Sequence, residues 1–110
     1  MIGLFGSSTG AGAALVAAAE LGDAIRAVVS RGGRPDLAGK RLGRVEAPVL
    51  MIVGGLDNAV IGLNELAYDQ MTGCEKEIRI VPDATHLFEE PGTLEMVAEM
   101  AAEWFVKHLK

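Results

Sequence analysis

Ile2-Gly3-Leu4-Phe5-Gly6-Ser7-Ser8-Thr9-Gly10-Ala11-Gly12-Ala13-Ala14-Leu15 is the stretch on which the reading of this chain turns. Ile2 to Phe5 is a short apolar run, and the alanine-rich stretch behind Gly10 has the composition of a helix that lies close against a sheet. Between them stands Gly6-Ser7-Ser8-Thr9-Gly10, a G-x-S-x-G sequence in the strand-turn-helix setting that this motif requires. A strained turn leaves no room for bulk two positions away on either side, which accounts for glycine at 6 and 10. The turn pushes the Ser8 hydroxyl into the open.

The same alternation recurs along the chain. Pro48-Val49-Leu50-Met51-Ile52-Val53 is apolar and ends in Gly54-Gly55, and Glu77 to Val81 repeats the pattern before Pro82 closes it. Strands are expected at about 2–6, 25–30, 49–54 and 77–82, and helices at about 9–21, 60–72 and 92–109. Strands alternating with helices imply an α/β fold with a four-stranded, mainly parallel sheet flanked by helices. Leu94, Val97, Ala101, Trp104, Phe105 and Leu109 recur at helical spacing and form the expected buried stripe of the last helix. No internal repeat or low-complexity linker divides the chain, so residues 1–110 are expected to form one domain.

Three polar residues fall at corresponding places in this pattern. Ser8 follows the first strand, Asp57 in Val53-Gly54-Gly55-Leu56-Asp57 follows the third, and His86 in Asp83-Ala84-Thr85-His86-Leu87-Phe88 follows the fourth. In a parallel sheet all three lie on one rim, where open α/β sheets carry their ligand sites. A serine hydroxyl is a poor nucleophile at neutral pH; it needs a base to accept its proton and a carboxylate to orient that base. His86 and Asp57 fit those roles, and the order Ser-Asp-His agrees with the strand-end placement. Thr9 opens the helix, so its backbone N–H faces the place where an oxyanion develops. Singly, each residue has a plainer reading: a strand-helix connection, a turn aspartate, a histidine capping the loop before Pro91. Gly10-Ala11-Gly12-Ala13-Ala14-Leu15 echoes a dinucleotide fingerprint, but leucine stands where the third glycine belongs and no Lys-Ser/Thr follows.

With these residues in view, the chain resembles the C-terminal half of an α/β-hydrolase of the dienelactone hydrolase-like type. The phrases SRGGRPDLAG, APVLMIVGGLDNAV and ATHLFEEPGTLE carry the resemblance, which runs over essentially all 110 residues. It implies Ser8 as nucleophile, His86 as general base and acid, Asp57 as orienting carboxylate and Thr9 as an oxyanion donor. Enzymes similar to dienelactone hydrolase proper carry cysteine as nucleophile, so serine here favours a general esterase over a lactone specialist. The resemblance also implies that the first half of the fold is absent, and with it the second oxyanion donor, which comes from the loop after the third strand.

Composition adds boundaries. Half of the residues are hydrophobic and the mean hydropathy is +0.29, high for a domain of this size, so part of the apolar surface is expected to meet a partner. The Ile2–Phe5 strand, which the resemblance makes central in a full-length hydrolase, is expected to be an uncovered apolar edge here, which predicts a homodimer with two such edges joined antiparallel about a two-fold axis. The net charge of −5 argues against nucleic acid. No long apolar span or signal-like N-terminus is present, and with the single Cys74 this predicts a cytoplasmic protein without membrane association. Cys74 is expected to be half-buried and unreactive. With two histidines and no C-x-x-C or H-E-x-x-H, no metal or other cofactor is expected, and Glu89-Glu90 reads as a solvated pair. Arg31, Arg34, Lys40, Arg41 and Arg44 stand against Asp36 alone, in a segment whose glycines and proline predict a loop on the triad rim: a flap for anionic substrates or a solvated connection. His108 is expected on the exposed, polar side of the last helix. The reading is a serine carboxylesterase acting on small acyl esters; the alternative is a non-catalytic assembly module with a vestigial triad.

Overall fold

The computed structural model describes residues 2–109. Four strands, β1 (Ile2–Ser7), β2 (Ile25–Arg31), β3 (Val49–Gly54) and β4 (Lys76–Val81), form one sheet in the order β1-β2-β3-β4, with all three neighbouring pairs parallel. Helix α1 (Thr9–Leu21) connects β1 to β2, α2 (Asn58–Gln70) connects β3 to β4, and α3 (Thr93–His108) follows β4. Every strand therefore ends at the same rim, at Ser7, Arg31, Gly54 and Val81.

The two-residue period of the strands sorts the core onto two faces. On one, Val28, Val49 and Met51 pack with Leu15 and Ala18 of α1, Ala67 of α2 and Met71 just after it. On the other, Ala27, Val29, Leu50 and Ile52 meet Val97, Ala101 and Trp104 of α3. All six residues of β3 are buried, as a central strand covered on both faces should be. The stripe expected on α3 is correct at Val97, Ala101 and Trp104, whereas Leu94 is 52% exposed.

Two expectations are corrected here. Pro35–Arg44 is a 3₁₀ segment rather than an open loop, bent at Gly39 (φ 56°), and it buries Pro35, Ala38 and Leu42 against α1 and α2. Gly12 serves this packing, since a Cβ there would lie 2.9 Å from Leu37 Cβ and 3.1 Å from the Arg34 carbonyl. The segment's charge is also partly spoken for. Arg34 makes two hydrogen bonds to the Asp36 carboxylate, at 3.0 and 2.9 Å, which hold that carboxyl below its ordinary pKa, and Arg41 reaches Glu20 at 3.1 Å. Second, the His108 side chain is only 10% exposed, its ring lies 4.4 Å from that of Trp104, and its Nε2 is 3.4 Å from Glu75. Cys74 is half-buried, as expected, and burial pushes its thiol pKa up. No helix among the described residues is long and apolar enough to cross a membrane.

Candidate functional site

Ser8 sits between the last residue of β1 and the first residue of α1, with φ 50° and ψ −125°. Positive φ is rare for a residue with a side chain and persists only where the surroundings impose it. Two hydrogen bonds do so here: the Ser8 carbonyl accepts from Ala11 N–H at 3.2 Å and from Arg34 N–H at 2.9 Å. Gly6 is required by space, since a Cβ there would stand 2.5 Å from the Gly10 carbonyl oxygen. Gly10 is not, because a Cβ on it would meet nothing within 4 Å; the expectation that both glycines avoid a collision holds for Gly6 alone.

Asp57 precedes α2 at the end of the Gly54-Gly55-Leu56 turn, and His86 lies in the loop after β4. These two loops are stitched together by their backbones: Gly55 N–H donates to Val81 O at 2.8 Å and Leu56 N–H to Ala84 O at 3.0 Å. Gly54 permits that approach, since a side chain there would strike the carbonyls of Ala84 and Thr85. The His86 loop is strained, with positive φ at Asp83 (63°) and Phe88 (56°), and Phe88 pins it by burying its ring in the α3-side core.

The three side chains meet. His86 Nδ1 is 2.8 Å from Asp57 Oδ2, and His86 Nε2 is 2.9 Å from Ser8 Oγ. A carboxylate only accepts, so Nδ1 carries the ring proton and donates to Asp57; Nε2 of the neutral ring is then the acceptor for the Ser8 hydroxyl. Asp57 is 16% exposed and His86 39%, so the carboxylate lies beneath the ring while the ring faces the opening. Thr9, the first residue of α1, carries one of the helix's unpaired N–H groups beside Ser8.

Two neighbours that the sequence offers in other roles, Glu90 and Arg31, stand beside these side chains. Glu90 accepts from Thr85 N–H at 2.9 Å and from the Thr85 hydroxyl at 2.7 Å, bonds that lower its pKa and tie the His86 loop to itself. It braces the loop from an exposed position. Arg31 places its guanidinium 5.6 Å from the centre of the Phe88 ring and, with Phe5, Leu94, Val97 and Ala98, lines an apolar groove of about 270 Å³. Arg31 pairs with Ser7, the residue before Ser8, but none of Ser8, Asp57 and His86 is among the residues that line this groove. The concavity bounded by Gly22, Ile25, Glu46 and Pro48 lies at the opposite rim, away from all three side chains.

The family model for dienelactone hydrolases matches residues 1–109. The chain belongs to the dienelactone hydrolase family. A crystal structure of a dienelactone hydrolase from Anabaena variabilis superposes with a TM-score of 0.96 at 57% identity, over 98% of this chain and 50% of that one. Two curated Mycobacterium tuberculosis proteins, provisionally named phosphoribosyl transferases, are each 61% identical over 108 residues, which is 98% of this chain and 24% of theirs. The chain thus spans about a quarter of those relatives and half of the solved hydrolase. The resemblance read from the sequence is the family found, and the sheet and its flanking helices are those of the α/β-hydrolase half expected.

Proposed function

We propose that this chain carries serine hydrolase chemistry directed at small acyl esters. The observation that supports it is the continuous hydrogen-bond chain from Ser8 Oγ through His86 to Asp57, at 2.9 and 2.8 Å, with Ser8 held at a positive φ between a strand and a helix. In this reading Ser8 Oγ attacks the ester carbonyl as its proton passes to His86 Nε2, and Asp57 stabilises the imidazolium. The oxyanion is met by Thr9 N–H and the positive end of α1. Collapse expels the alcohol, which takes the proton from His86. Water then attacks the acyl-enzyme, giving its proton to the same nitrogen, and the acid leaves as Ser8 is restored. The apolar groove of Phe5, Leu94 and Val97 offers room for a short hydrocarbon portion of the ester.

The transferase name of the two Mycobacterium proteins does not enter this reading. Those proteins are matched over 24% of their length only, and over the same residues this chain matches the dienelactone hydrolase family model.

Intact-mass spectrometry after exposure to a fluorophosphonate tests the proposal. The parent is expected to gain one adduct per chain and Ser8→Ala none, with loss of short-chain ester hydrolysis in the same variant. Folded parent protein that gains no adduct, or Ser8→Ala that hydrolyses the ester at the parent rate, overturns it and leaves an assembly module without chemistry.

A further inference from the structure

We infer that Asn64 is a positioning residue for Ser8, acting through the backbone of Gly33 and Arg34; the inference rests on the reading of Ser8 as nucleophile. Asn64 lies within α2 and is completely buried. Its Nδ2 donates to Val60 O at 2.8 Å, one turn back in its own helix, and to Gly33 O at 3.1 Å, across the gap to the segment that follows β2. The amide oxygen has no hydrogen-bond partner among the described residues. A buried unpaired oxygen is costly, and a leucine of similar shape would avoid that cost. That leucine would also take this donor from the Gly33 carbonyl, so what accounts for an asparagine at this position is what its donors hold.

What those donors hold is the support of Ser8. Gly33 is wedged, since a Cβ on it would strike Ser30 Oγ and Ala11 Cβ, and its carbonyl is fixed from the other side by Asn64. The next amide along, Arg34 N–H, donates to the Ser8 carbonyl at 2.9 Å. That bond is one of the two that keep Ser8 at φ 50°. The same helix begins immediately after Asp57. α2 thus carries the carboxylate at its start and, through Asn64, Gly33 and Arg34, the tether of the serine. Both ends of the hydrogen-bond chain are referenced to one rigid element, as a preorganised constellation needs.

The test compares the parent with Asn64→Leu, and with Asn64→Ser should the leucine variant not fold. Two quantities are read well below the melting temperature: hydrogen exchange of the Arg34 amide relative to β3 amides, and the rate of fluorophosphonate labelling alongside KM for a short ester. The expected result is Arg34 exchange faster by about tenfold or more and labelling slower by about tenfold or more, with KM unchanged, because small misplacements of a reacting group are expensive in rate. A lower melting temperature with unchanged Arg34 exchange and labelling overturns the inference and makes Asn64 purely structural. Faster exchange with unchanged labelling overturns it too, since the tether then does not govern Ser8. A parent that does not label counts against Ser8 as nucleophile, while Arg34 exchange still decides whether Asn64 holds the turn.

Discussion

At the scale of single residues the turn at Ser8 separates two glycines that the motif treats alike. Gly6 faces backbone: a methyl group there would meet the Gly10 carbonyl at 2.5 Å and Ala11 Cα at 2.8 Å, and neither can swing aside as a side chain would. Gly6→Ala is expected to lower stability by about 1–3 kcal/mol, the usual cost of overpacking, and to displace Ser8. Gly10 lies exposed in the first turn of α1 with nothing near its missing Cβ, so Gly10→Ala is expected to raise stability, by less than the roughly 0.5–1 kcal/mol of a mid-helix glycine. Thermal melts of the two variants should move in opposite directions; equal shifts would mean that the turn is not packed as described. Ser8, Asp57 and His86 were legible because each follows a strand in a setting that short-range sequence reveals. Asn64 and Gly33 were not, since their importance lies in a contact between residues 31 positions apart. His108 was misread although the signal was present: it stands four residues after the buried Trp104, on the same helix face.

At the scale of elements, the strands and helices followed from apolar runs and their punctuation, with ends displaced by a residue or two. The 3₁₀ segment Pro35–Arg44 was hidden by its glycines and charges, even though Pro35, Ala38 and Leu42 recur at a helix-like spacing. The loop carrying His86 was expected only as a loop, and its internal bracing by Glu90 depends on a turn geometry that no composition encodes. Glu90→Ala removes both acceptors of Thr85 and is expected to cut ester turnover, by up to about 100-fold if His86 shifts by an ångström, with little effect on the melting of the sheet. The pH dependence has a definite sign. The Thr85 bonds hold the Glu90 carboxyl below the usual value of 4.5, so the brace is complete above that value and is lost as the pH falls through the lower, folded-state pKa. Amide exchange of Thr85 followed through the acid range checks this: protection that disappears while Glu90 is still ionised would refute the brace.

For the whole molecule, the two edges of the sheet differ in a way that bears on assembly. β4 carries Lys76, Glu77 and Arg79 along its length, and charge of this kind discourages pairing with a further strand. β1 has no charged residue, and Ile2 and Phe5 are 50% and 52% exposed. An edge so apolar and so bare of charge is expected to pair, and we propose that in isolation it does so with a second copy, antiparallel about a two-fold axis. Antiparallel pairing of six-residue strands puts the two Ser8 residues at opposite ends of the joint, roughly 20 Å apart at about 3.4 Å per residue. Such a dimer covers the edge without bringing either copy's loops to the other's serine. The association and the chemistry should therefore be separable. Sedimentation at micromolar concentration is expected to give twice the 11.5 kDa chain mass, and Ile2→Lys to return it to a single chain while fluorophosphonate labelling of Ser8 proceeds at the parent rate. A parent that sediments as a monomer would refute the pairing, and labelling lost together with the dimer would show that the partner chain contributes to the serine site.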